Sequence, residues 1–200
     1  MISNPNLTKI KAKRMFYEAA SDIEDLLVQL SREGLTYFAE KKSNTLEHTM
    51  HHLACFAAGL YGHAAMEVEN DNSERWMDLA REIINTCHES YIRAETKLGP
   101  DVMKFTDSVE ARGIKEGDKK FIQRPEVVES YFILWRLTKD TKYRDWGWEV
   151  VEALDKHTKT DAGYAGIKDV YKVISKLLKY ETMFFFRFQQ LKMMHSNLSS

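Results

Sequence analysis

The sequence predicts an all-α chain built of helical hairpins, and three observations carry that expectation. Prolines number only three in 200 residues, while helix formers are plentiful and four tryptophans stand among them. Apolar residues recur at helical spacing in segment after segment. Short turns and longer loops alternate between those segments, so successive helices pair antiparallel. A closed or partly closed ring of hairpins fits this pattern, and so does a helical solenoid. The lack of a repeat of fixed period counts against the solenoid.

The first helix covers residues 8–31, where Ile10, Met15, Phe16, Ala19, Ile23, Leu26, Leu27 and Leu30 mark an apolar stripe. Gly34 is its stop. Residues 35–39 are short and apolar and read as a strand or a connector; residues 41–44 read as a polar turn. A second helix over 50–66 is rich in small residues. Gly59 and Gly62 there carry an entropy cost that calls for a packing reason. After a turn at 70–72, Ser73 is an N-cap candidate with Glu74 and Asp78 near the positive helix end. Trp76, Leu79, Ala80, Ile83, Ile84 and Cys87 form the buried face of a third helix running to about residue 97, ended by Leu98, Gly99 and Pro100. Residues 101–120 form a polar connector with two glycines, of a length typical of functional loops or of a flexible excursion.

A fourth helix over 124–137 opens with Pro125, whose missing N–H suits the first helical position. Residues 138–140 make a turn, and a fifth helix over 143–157 follows, with Trp146, Trp148, Val150, Val151 and Leu154 apolar. The glycine-containing loop at 160–166 lacks the lysine and spacing of a phosphate loop.

The chemistry gathers at the start of the fourth helix. Glu126 and Glu129 stand three apart and share a face within the first turn, with Arg124 just upstream. Spacing alone favours a plainer role, two first-turn glutamates complementing the helix dipole. His51 and His52 are adjacent, so they point to different sides of a helix and are no chelating pair. An inward His52 is, on spacing, more often a hydrogen-bonded packing residue than a ligand.

Composition narrows the field. A net charge of −1 gives no argument for nucleic acid or an anionic membrane. No signal peptide is visible and no stretch is long and apolar enough to span a bilayer; the aromatic run at 183–186 is short and closed by Arg187. Cys55 and Cys87 are either buried free thiols or, in an oxidising compartment, a pair closing one loop.

Several stretches together resemble one known family. They are His51-His52-Leu53-Ala54-Cys55-Phe56-Ala57-Ala58-Gly59, Thr86-Cys87-His88-Glu89-Ser90-Tyr91 and Lys97-Leu98-Gly99-Pro100. Most diagnostic is Gln123-Arg124-Pro125-Glu126-Val127-Val128-Glu129-Ser130-Tyr131, continuing through Leu134-Trp135-Arg136-Leu137-Thr138 to Tyr143-Arg144-Asp145-Trp146-Gly147-Trp148-Glu149. Gly163-Tyr164 and Lys168-Asp169-Val170-Tyr171 complete the set. In order and content these are similar to the C-terminal half of the class I α-1,2-mannosidases, glycoside hydrolase family 47, on the Golgi-type branch. The resemblance covers residues 15–171.

The resemblance implies an (αα)7 barrel, an α/α toroid whose hairpins surround a cavity. It implies inverting hydrolysis of terminal α-1,2-linked mannose in N-glycan processing, with a bound calcium ion. Glu126 matches the general base, and Glu129 a carboxylate near the terminal sugar that meets calcium through water. Arg124 matches a sugar and carboxylate anchor, His52 a cavity histidine, and Cys55 and Cys87 the family's disulfide pair. The partners implied are oligomannose N-glycans of glycoproteins in the lumen of the Golgi or endoplasmic reticulum. No nucleic acid is implied, and membrane attachment only through an N-terminal anchor that this chain does not carry. The sequons at Asn6 and Asn197 fit a lumenal protein. An inverting glycosidase holds a protonated carboxyl and a carboxylate about 6.5–9.5 Å apart, with room for water between them.

The sequence also departs from the family. The general acid belongs to an N-terminal half not found here, as does an Asp-Ser-Tyr-Tyr-Glu-Tyr-like motif expected shortly before Thr8. After Tyr171 neither the family's Ser-Phe-Phe-Leu-Ala-Glu helix nor its Asn-Thr-Glu-Ala-His-Pro motif, whose threonine binds calcium, is found. Residues 1–172 therefore read as the C-terminal part of a catalytic domain and 173–200 as a divergent tail, an alternative or mis-spliced end. The expectation is that the chain alone releases no mannose. The alternative is a non-catalytic glycan-binding or quality-control protein on the same scaffold, and a plain structural helical module is the third possibility.

Overall fold

The computed structural model describes residues 5–67, 72–174 and 177. Five helices carry the fold among them: α1 (Pro5–Leu27), α2 (Phe56–Glu67), α3 (Asn72–Ile92), α4 (Glu126–Thr138) and α5 (Lys142–His157). The chain is not all-α. Short strands interleave with the helices: β1 (Val28–Leu30), β2 (Thr36–Phe38), β3 (Glu40–Lys42), β4 (Thr45–Glu47), β5 (Thr49–His51), β6 (Val102–Thr106), β7 (Val109–Arg112), β8 (Lys159–Thr160) and β9 (Gly163–Tyr164). They form antiparallel ribbons β1–β2, β3–β4 and β8–β9, and a three-stranded sheet in the order β5–β6–β7.

These ribbons correct several sequence expectations, each for a local reason. The first helix stops at Leu27 because Val28 to Leu30 pair with Phe38 to Thr36. Gly34, at φ +86°, serves the turn of that hairpin and not a helix stop. The polar turn at 41–44 is the tip of the β3–β4 hairpin, with Ser43 in the left-handed region. The connector at 101–120 is no excursion: β6 and β7 occupy much of it, and Met103, Phe105 and Ala111 are buried. Pairing of β6 with β5 draws Met50 and His51 out of the second helix. A 3-10 turn, His52–Cys55, then leads into α2. Ser73 lies inside α3 and does not cap it. Its hydroxyl donates to the Ala65 carbonyl at 2.6 Å and ties α2 to α3. The loop at 160–166 turns between β8 and β9. Residues 70 and 71 of the expected turn, and nearly all of 173–200, lie outside the described residues.

The core sits where α2 meets α3 and α4. A Cβ on Gly59 would stand 2.7 Å from Ile133 Cδ1, and one on Gly62 2.8 Å from Leu134 Cδ2, which is the packing reason those glycines require. Ser130 locks the same crossing: its hydroxyl donates to the Cys55 carbonyl at 2.9 Å and accepts the Gly59 N–H at 3.1 Å. Cys55 and Cys87 are bonded to each other, which excludes the free-thiol alternative and pins the 3-10 turn to α3. At a sequence separation of 32, closing that loop stabilises the fold by about 3–4 kcal/mol in the chain-entropy picture.

The apolar stripe of α1 is only partly used. Phe16 and Tyr17 meet Trp76 edge-on or tilted, and the Trp76 indole N–H donates to Glu24. Ile10, Met15 and Leu26 of the same stripe are exposed.

Candidate functional site

Glu126 is the first residue of α4. Pro125 stands just before it, and its carbonyl accepts the Glu129 N–H at 2.9 Å, so proline and helix start differ by one position from the sequence expectation. Gln123, two residues earlier than Pro125, is buried in the left-handed region at φ 59°. That conformation costs a residue with a Cβ about 1–2 kcal/mol and sets the direction in which the chain enters the helix.

The β5–β6 pairing and the 3-10 turn bring His52 to the same place. His52 is 2% exposed, and its Nδ1 lies 3.5 Å from Glu126 Oε2. The contact is long for a hydrogen bond, and neither atom has a closer partner among the described residues. On its other side His52 Nε2 meets the Tyr91 hydroxyl at 2.7 Å. His51, by contrast, faces outward to Glu40 at 2.9 Å, so the two histidines separate as adjacency predicts. The side chain of Glu126 is 16% exposed and lies over this interior.

Arg124 reaches the site through a partner that its own motif does not announce. Its Nε donates to Asp101 Oδ1 at 2.9 Å. Asp101 also accepts the His52 N–H through its carbonyl at 3.0 Å and donates its own N–H to Lys120 at 2.8 Å. One residue at the start of β6 thus fixes the backbone of His52 and the guanidinium of Arg124. Glu129 follows one turn along α4, half-buried.

The electrostatics favour an ionised Glu126. Burial acts to raise its pKa. That effect is outweighed by the contact with His52, by the Glu126 backbone N–H and by the charge of Arg124, which hold the carboxyl below its ordinary value. Burial, and then the Glu126 charge, push the Tyr91 phenol up. Behind it, Tyr131 meets His88 Nδ1 at 3.2 Å, and the His88 ring stacks on Trp146 with centroids 3.8 Å apart. Burial first, and the Lys97 ammonium second, lower the His88 pKa to about 4.

Glu126, His52 and Arg124 therefore converge, with Arg124 acting on Glu126 across space. Tyr91, Asp101 and Gln123 complete the site, and the sequence reading does not single them out as site residues. Their signal lies in position: Tyr91 ends a family-like stretch, Asp101 follows Gly99-Pro100, and Gln123 adjoins Arg124. Among the described residues no group of three or more His, Cys, Asp or Glu side chains converges as a metal cage. These residues do not fit a directly ligated calcium, whose sites take six to eight oxygens.

Fold and site together define a helical-hairpin scaffold that carries a half-buried, ionised carboxylate against a histidine, the equipment of acid–base chemistry. The profile of glycosyl hydrolase family 47 matches residues 3–192, and the chain belongs to that family. It is 51% identical over 165 residues to mannosyl-oligosaccharide alpha-1,2-mannosidase IA of Drosophila melanogaster, a match that covers 82% of this chain and 25% of that protein. The corresponding mannosidase IA of Sus scrofa is 48% identical over 164 residues, with 82% and 25% covered. The solved α-1,2-mannosidase of Trichoderma reesei superposes with a TM-score of 0.68 at 21% identity, covering 78% of this chain and 35% of that one; this likeness concerns the fold. The chain spans about a quarter of the length of the curated relatives it matches.

Proposed function

We propose that this chain is the base-bearing part of an inverting α-1,2-mannosidase that trims terminal α-1,2-linked mannose from oligomannose N-glycans. The observation that supports it is the Glu126 carboxylate, half-buried at a helix start and held ionised beside His52. In an inverting step a water attacks the anomeric carbon as the glycosidic bond breaks, and a carboxylate takes the water's proton. Glu126 has the charge state that this role demands, because a carboxylate below its ordinary pKa accepts a proton without first having to lose one. His52 orients it, and Arg124, held by Asp101, adds positive charge to the same side. Protonation of the leaving oxygen requires an acid from the remaining length of the protein.

Within this proposal the described scaffold is an arc of an (αα)7 barrel, with residues 1–172 read as part of its catalytic domain. Glu129 would stand near the terminal sugar, where any part it took in calcium binding would run through water, since the described residues form no cage for the ion. The place of work is the lumen of the Golgi or endoplasmic reticulum. The Cys55–Cys87 bond supports that placement, since such bonds persist in oxidising compartments.

The test is to graft residues 15–171 into the matching place of the Drosophila relative and measure mannose release from an oligomannose glycan. The graft retains turnover, and Glu126→Gln within it loses about 10²–10⁴-fold. A Glu126→Gln graft as fast as its parent would remove the proposal.

A further inference from the structure

Tyr91 lies at the C-terminal end of α3, 2% exposed and away from solvent. Its hydroxyl meets His52 Nε2 at 2.7 Å and has no other hydrogen-bond partner among the described residues. The ring cannot shift easily. Gly99 packs flat on it, so close that a Cβ there would fall inside the Tyr91 ring's contact distance. Phe121 meets the Tyr91 and His52 rings edge-on, each at 6.5 Å between centroids.

We infer that Tyr91 is a positioning residue of this site: its hydroxyl donates to His52 Nε2 and so fixes the ring as the tautomer whose Nδ1–H faces Glu126. The argument is one of donor and acceptor accounting. A phenol has one proton to give, and among the described residues its hydrogen-bond partner is Nε2. Once Nε2 accepts, the proton of the neutral ring must reside on Nδ1. Nδ1 then points its N–H at Oε2 of the charged Glu126 carboxylate, an atom with no hydrogen-bond partner among the described residues. The opposite tautomer strands the Tyr91 proton in a buried place and sets a nitrogen lone pair against a carboxylate, two unfavourable terms at once. Burial raises the phenol's pKa, which keeps that proton on Tyr91 as the scheme requires. Gly99 and Phe121 belong to the same device, because they hold the ring whose oxygen sets the histidine.

The catalytic meaning rests on the reading of Glu126 as a base; the hydrogen-bond order does not, so the two are tested apart. The chain carrying ¹⁵N-labelled histidine is studied by long-range ¹H–¹⁵N NMR at about pH 8, above the usual histidine range, with His52→Gln identifying the signal. Expected is a protonated Nδ1 and a bare Nε2. In Tyr91→Phe the preference for Nδ1–H falls roughly fivefold, the weight of one net hydrogen bond. Cooperative urea unfolding serves as the control for the fold. Gly99→Ala keeps the hydroxyl but displaces the ring, and moves the tautomer in the same direction if the phenylalanine variant does not fold. A proton on Nε2 in the parent chain, protons on both nitrogens, or an unchanged ring in a folded Tyr91→Phe chain would each overturn the inference. None of these readouts involves a glycan, so a failure of mannose release bears on the proposed function alone.

Discussion

Helices α1 and α4 have similar apolar patterns in the sequence and opposite fates in the fold. In α4, Val127, Val128, Ser130, Tyr131 and Leu134 are buried against neighbours. In α1, only Ala20 and Glu24 are buried among the described residues, while Ile10, Met15 and Leu26 lie open. The difference lies in partners, not pattern. On one side of α4 stands α2, with glycines that let it approach closely, and on the other α5; α1 rests mainly on Trp76 and Tyr61 of the neighbouring helices. Periodicity announces that a face is apolar. It does not say what will cover it. Glu126 sits on the helix whose surroundings are complete, where a side chain can be held in one geometry.

The contrast can be measured. Leu134→Ala should cost about 2–5 kcal/mol, because it opens a cavity in a fully buried place, whereas Ile10→Ala on α1 should change stability by less than about 0.5 kcal/mol. Urea unfolding of the two variants gives both numbers, and equal costs would break the comparison. Replacing Cys55 and Cys87 together by alanine removes the strap between the 3-10 turn and α3 and should cost about 3–4 kcal/mol. The loss should be absent when the parent is compared under reducing conditions.

A third test uses pH. The His88 pKa in the fold is about 4, below the unfolded value of 6.5, because burial and Lys97 disfavour the charged ring. The native state therefore binds fewer protons than the unfolded one between those values. Its stability is complete above pH 6.5 and falls as pH drops towards 4, by an amount on the order of 3 kcal/mol. His88→Gln should be less stable at neutral pH, having lost a stacked ring, yet flatter across that window in urea midpoints. The smallest effect belongs to α1 again: Glu18→Gln breaks an exposed pair with Arg14 at 3.6 Å and should cost less than about 0.5 kcal/mol.

Much of this molecule can be read from its letters, and the rest is instructive. Four of the helices are visible because their apolar spacing is local information, and α2 because it is rich in small residues. Glu126 and His52 are visible as members of motifs, and the geometry brings them within 3.5 Å. The strands mostly escape such a reading because each is too short for alternation to stand out, and because β5 and β6 pair across about fifty residues of chain. Asp101 escapes it for the same reason: it serves His52 through a carbonyl and Arg124 through a carboxylate, and no spacing rule links the three. Tyr91 is hidden by its type, since a tyrosine at the end of an apolar helix face reads as packing until its hydroxyl is located.

The central claim is that Glu126 stands ionised in its half-buried seat, as a base must and as a general acid must not. The most direct measurement is the ¹³C NMR titration of the Glu126 carboxyl in this chain, assigned by loss of the signal in Glu126→Gln. A midpoint below the ordinary glutamate value, drifting upward when His52 is replaced by glutamine, is the result the account predicts. A midpoint raised towards neutrality would contradict it, because the carboxyl would then be carrying a proton where it has to accept one.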